Sequence, residues 1–122
     1  MSLPDENLTL IEKLRRIQIE WQLDVLALAK ITHTSADLLN QYFAYSKEEL
    51  LALPSIPDGF GAAVSLVSIY QNLSRSISDS EKQNEWLITP NDAYDGHKPI
   101  EVMAMSPAHV AWISYTLVSS VP

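Results

Sequence analysis

Residues 60–77 read FGAAVSLVSIYQNLSRSI, and their spacing decides the fold class. Phe60, Ala63, Val67, Tyr70, Leu73 and Ile77 recur at intervals of three and four, which places them on one stripe of a long α-helix. Toward the N-terminus the same period continues. Leu10, Ile11, Leu14, Ile17 and Trp21 predict a first helix over residues 8–20. Leu23, Leu26, Ala27 and Lys30 predict a short second helix, broken by Ile31-Thr32-His33-Thr34. Ser35 can cap a third helix by accepting from the backbone N–H groups of its first turn, and Leu38, Leu39, Tyr42 and Phe43 give it an apolar side. Ser46 with Glu49 reads as a capping box opening a short helix through Leu53. Pro54, Pro57 and Asp58-Gly59 mark the main joint, dividing an N-terminal set of helices over 8–53 from a segment over 58–122.

C-terminal to the long helix, Ser78 and Glu81 predict a second capping box before a helix bearing Trp86 and Leu87. Thr89 to Lys98 is rich in turn residues, with Pro90-Asn91-Asp92 and Asp95-Gly96. Pro99 suits the first turn of a short helix to Met105, because the N–H it lacks has no partner there. Ser106-Pro107 repeats that signal and opens the final helix. No stretch alternates with period two. The expected fold is all-α: one compact domain of about seven or eight helices without a sheet.

Length and composition bound the function. A chain of 122 residues holds one core, and a charged fraction of 19% leaves apolar surface for a partner. The absence of cysteine excludes disulfides, thiolate metal sites and cysteine nucleophiles. With no basic leader and no apolar run near ~18 residues, the expectation is a cytoplasmic protein without membrane contact. A net charge of −7 disfavours nucleic acid.

Catalytic patterns are missing. His33, His97 and His109 are too scattered for a metal set and read as surface or capping residues. Asp58-Gly59-Phe60-Gly61 is a turn before a helix, since no strand precedes it. Glu48-Glu49, and Asp92 with Asp95, read as solvated acids. No serine sits on a strand-to-helix elbow. The expectation is a protein that is not an enzyme and uses no cofactor or metal.

Residues 22–43 hold two short helices joined by a tight polar turn, the pattern of a helix-turn-helix. In that reading Thr34, Ser35, Asp37, Asn40 and Gln41 face bases and phosphates, with Arg15, Arg16 and Lys30 as a basic patch across a dimer. A helical hairpin inside a bundle has the same periodicity, so both readings stand. Asp24, Lys30 and Asp37 leave this unit at −1, so any DNA binding is expected to be weak and salt-dependent.

The string NEWLITPNDAYDGHKPIEVM, residues 84–103, followed by an amphipathic helix, resembles the C-terminal domain of the Xre/MbcA/ParS-type antitoxins. Trp86-Leu87, Pro90-Asn91, Gly96 and Pro99 carry the resemblance, and the upstream order of a degenerate helix-turn-helix and a long linking helix is consistent with it. The resemblance implies an all-helical antitoxin, often a homodimer, that neutralises a cognate RES-type, NAD-consuming toxin and commonly represses its own operon. Three features depart from the family's pattern. Gln83 stands where a small alanine is usual, the recognition helix lacks basic residues, and Ser119-Ser120-Val121-Pro122 closes the chain without the usual glycine.

In the last helix Val110, Ile113, Leu117 and Val121 form one apolar stripe, and Trp112 and Tyr115 fall on a neighbouring face. Those two aromatics either complete the core or anchor a partner. The expected partner surface is Trp112 and Tyr115 with Pro90, Asn91, His97 and Lys98 of the preceding loop. The competing readings are a helix-turn-helix regulator without a toxin, and an adaptor or self-associating protein that keeps only the fold.

Overall fold

The computed structural model describes residues 5–52 and 60–120, with side chains over 9–52 and 60–117. Among these residues the protein is all-helical. Its eight α-helices are α1 (Asp5–Glu20), α2 (Val25–Thr32), α3 (Ala36–Ala44), α4 (Lys47–Leu51), α5 (Gly61–Ser76), α6 (Ser80–Ile88), α7 (Pro99–Met105) and α8 (Pro107–Ser120). A 3-10 turn, Asp92–Tyr94, lies between α6 and α7. The only extended pairing among the described residues is an isolated antiparallel bridge between Asn91 and His97.

The long helix α5 packs against α1, α2 and α8. Its buried side is therefore wider than the single stripe its spacing suggests. Ala62, Leu66 and Ile69 are buried along with Ala63, Val67 and Leu73. Asn72 is buried too, and its amide donates to the Ser68 carbonyl at 2.9 Å, so the polar group is not left unsatisfied. Leu10, Ile11, Leu14 and Ile17 of α1, Leu28 and Ile31 of α2, and Val110 and Ile113 of α8 join one core with these residues. Side chains from both sides of the proline-rich joint thus share a core. The joint itself, at Pro54 to Gly59, lies outside the described residues, as does the expected end of α4 at Leu53.

The start signals act largely as their chemistry dictates. Ser46 and Glu49 form both halves of a capping box, at 3.1 and 3.0 Å. Ser35 accepts from the Leu38 N–H at 3.0 Å. At α6 the expected box of Ser78 with Glu81 does not form. Asp79 is the cap instead, accepting from the Glu81 N–H at 2.9 Å, and its carboxylate suits the positive end of the helix dipole. The segment Ile31 to Thr34 does not break α2 where expected. The helix runs through Thr32, and His33 ends it in the left-handed conformation, with φ 55°. The His33 side chain then reaches the Met103 carbonyl at 2.7 Å and ties α2 to α7.

A second tie joins the first helix to the C-terminal half. Trp21 is fully buried, and its indole N–H donates to the Gln83 side-chain oxygen at 2.9 Å. The Gln83 amide donates onward to the Ile77 carbonyl at 2.6 Å and the Ser74 hydroxyl at 3.2 Å. Asn84 donates to the Trp21 carbonyl at 2.5 Å. A small alanine at position 83 would leave the Trp21 N–H without this partner in the core, which gives the glutamine a physical reason. Nearby, the Tyr70 hydroxyl donates to the Glu20 carboxylate, which also accepts from Arg16 at 3.0 Å. Burial, and then the bond to Glu20, push the Tyr70 hydroxyl above its ordinary pKa.

Candidate functional site

The loop before α7 is built around Asn91. The Asn91 side chain accepts from the Ala93 N–H at 2.9 Å, and its carbonyl accepts from Tyr94 at 2.9 Å and Gly96 at 3.0 Å. Its own N–H donates to the His97 carbonyl at 3.1 Å. Closing this loop requires two consecutive left-handed residues, Asp95 at φ 56° and Gly96 at φ 80°. Glycine adopts that conformation freely, and aspartate tolerates it better than most residues. Proline at position 99 then starts α7, and the Lys98 N–H donates to the Glu101 carboxylate at 3.2 Å.

The closed loop buries Tyr94 at its centre. The Tyr94 ring makes edge-on contacts with Trp86 at 6.3 Å and with Trp112 of α8 at 5.4 Å. Offset and edge-on ring pairs of this kind each add about 0.5–1.5 kcal/mol beyond area burial. The three rings fix the loop against the last helix. Where the loop meets α7 and α8, a cleft of about 430 Å³ opens, lined by Tyr94, Asp95, His97, Val102, Met105, Ala108, His109 and Trp112.

Helix α8 forms one wall of this region. Over Pro107–Ser120 it reads PAHVAWISYTLVSS, with no aspartate, glutamate, lysine or arginine. One side packs on α5 and α7 and buries Val110 and Ile113 completely. The other side carries Ala108, Ala111, Trp112 and Tyr115, all exposed at intervals that align them on one face. Trp112 is 45% exposed and Tyr115 72%, and Met105 continues the face from α7 at 52%. A solvent-facing helix normally carries charge on its outer side, whereas one that is apolar all round is normally covered. Among the described residues nothing covers the outer side of α8.

Four of the six expected partner residues are thereby placed in or beside this region as exposed side chains. Trp112 and His97 line the cleft, Tyr115 lies one turn beyond Trp112, and Lys98 stands at the start of α7. Pro90 is exposed at the approach to the loop, and half-buried Asn91 is occupied in closing it. Of the other cleft residues, Asp95 falls within the expected loop but was read as a solvated acid, His109 was read as a surface or capping histidine, and Val102, Met105 and Ala108 were given no role. The spacing of Ala108, Ala111, Trp112 and Tyr115 was the available signal, a second apolar stripe on a helix that already had one.

The residues expected to face DNA are placed differently. Thr34 is half-buried, with its hydroxyl 3.0 Å from that of Thr32, and the Ser35 hydroxyl is committed to capping α3. Arg15 donates to the Phe43 carbonyl at 2.9 Å and lies 5.6 Å from the centre of its ring, while Arg16 pairs with Glu20. Gln41 donates to the Tyr45 hydroxyl at 2.8 Å. Asn40 and Asp37 are exposed, as is Lys30. With a net charge of −7 and Asp37 exposed on α3, titration of the protein against its own upstream DNA should give no specific complex at physiological salt. Tight, sequence-selective binding would contradict this expectation.

Among the described residues no group of three or more histidine, cysteine, aspartate or glutamate side chains could hold a metal ion. No described helix is long and apolar enough to cross a membrane. Neither a family model nor a curated protein matches the chain.

Proposed function

We propose that this protein acts by binding another protein, through the outer face of α8 and the adjoining cleft, and does no chemistry of its own. The observation that carries the proposal is the open side of α8, where Trp112 and Tyr115 stand exposed on a helix without a formal charge. An uncovered, contiguous apolar face rimmed by polar loop residues is characteristic of an association site. Exposed tryptophan and tyrosine are the residue types that concentrate binding energy in such sites. Operator binding is disfavoured by the net charge of −7 and by Asp37 on the exposed side of α3.

The identity of the partner rests on the resemblance of residues 84–103 to the antitoxin domain. On that reading the chain is an antitoxin or antitoxin-like regulator, and its partner is a RES-type, NAD-consuming toxin encoded beside it. The test is NAD consumption by the purified product of the adjacent toxin-like gene. An equimolar amount of this protein should suppress it to background. An unchanged rate, with no complex on size-exclusion chromatography, would reject a toxin as the partner.

A further inference from the structure

The chemistry of the cleft narrows what the partner presents. We infer that the cleft between the loop and α8 receives an arginine side chain of the partner, stacked on Trp112 and neutralised by Asp95. The inference rests on the proposed partner surface and adds a ligand chemistry to it.

Three observations point the same way. First, among the described residues Asp95 is the one lining residue with a formal charge, and its carboxylate has no hydrogen-bond or ion-pair partner there. No lysine or arginine lines the cleft to compete for it. Second, the indole of Trp112 forms one wall and remains 45% exposed although it already contacts Tyr94. Tryptophan offers the most favourable ring face for a cation, and a guanidinium stacks on it while keeping its N–H groups free at the edge. Third, Val102, Met105 and Ala108 supply an apolar floor of the kind that covers the methylene stem of a long basic side chain. A planar cation on an apolar stem is the side chain with all three properties. The overall charge of −7 favours such a partner at longer range. A lysine would lose the stacking and the two-pronged bond to the carboxylate. An apolar anchor would leave Asp95 desolvated without a partner.

The test uses the whole protein labelled with ¹⁵N and two small probes, N-acetyl-arginine amide and N-acetyl-citrulline amide. Citrulline has nearly the same shape without the charge. The arginine probe should shift the Trp112 indole N–H and the amides of residues 95–98 in a saturable way, and citrulline should shift them at least about threefold more weakly. Asp95→Asn should weaken the arginine probe by a similar factor, as expected for loss of one exposed charge pair. Asparagine also tolerates the left-handed conformation at this position, so the loop should keep its form. Equal responses to the two probes, no response in the cleft, or an unchanged arginine response in Asp95→Asn would each overturn the inference. Toxin capture by the same Asp95→Asn protein separates the two claims. Trp112-dependent capture without an arginine-selective response would leave the partner surface standing and remove the cation.

Discussion

Trp21→Ala is expected to cost about 3–5 kcal/mol of stability, the range for truncating a large aromatic in a core. In a domain of this length that corresponds to a fall in Tm on the order of 10–20 °C. The size follows from two facts. Trp21 is fully buried where α1 ends, and its N–H donates to Gln83, which is itself buried. Truncation opens a void and removes one of the three hydrogen bonds of the Gln83 side chain, leaving its oxygen without a donor. Trp21→Phe fills most of the void but still leaves that oxygen unpaired, so it should fall between wild type and alanine. Thermal melts of the three proteins check the order. A shift below about 5 °C for Trp21→Ala would show that the tie between α1 and α6 contributes little to the fold.

The second large effect separates a different tryptophan from that role. Trp112→Ala should reduce affinity for the proposed toxin partner by about 2 kcal/mol or more, a loss of roughly thirtyfold. It should lower Tm far less than Trp21→Ala does. Trp112 does touch Tyr94, so a small destabilisation is expected, on the scale of one ring contact. A collapse in Tm equal to that of Trp21→Ala would mean that Trp112 is a core residue and the loss of capture is indirect. Full retention of both stability and capture would remove it from both roles. The same pair of measurements on Tyr115→Ala has a cleaner expectation. At 72% exposure Tyr115 has little packing to lose, so a deficit in capture would come from contact alone.

Much of the fold was legible because helix signals are local. The three-and-four spacing around Leu14 and Val67, the cap at Ser35, the box at Ser46 with Glu49 and the prolines at 99 and 107 each act within one turn. What escaped was set by neighbours. The buried breadth of α5 depends on three helices packing round it, which no periodicity within residues 60–77 encodes. The choice of Asp79 over Ser78 was a contest between adjacent good caps. The pairing of Trp21 with Gln83 joins residues 62 positions apart.

The candidate site divides along the same line. The sequence placed Trp112 and Tyr115 off the core stripe of α8, and the structure leaves both exposed. It gave no hint that Tyr94 would be the buried centre of the turn, because a turn has no period to reveal it. Nor did it reveal that Asp95 would face Trp112 across a cleft, since loop and helix meet only in the folded chain. The contacts of the residues expected to face DNA were set by neighbours as well. Arg15 and Arg16 read as a basic patch in sequence, yet each finds an acceptor within the fold.

Whether a protein partner covers the outer face of α8 can be read from a nuclear magnetic resonance footprint. The ¹⁵N-labelled protein would be compared free and in complex with a catalytically inactive form of the proposed toxin partner. The Trp112 indole N–H should shift and become protected from solvent exchange. Perturbed amides should gather over residues 95–98 and 105–115 and leave α3 unchanged. Perturbations centred on Asn40 and Gln41, with the Trp112 indole unmoved, would contradict a partner on α8.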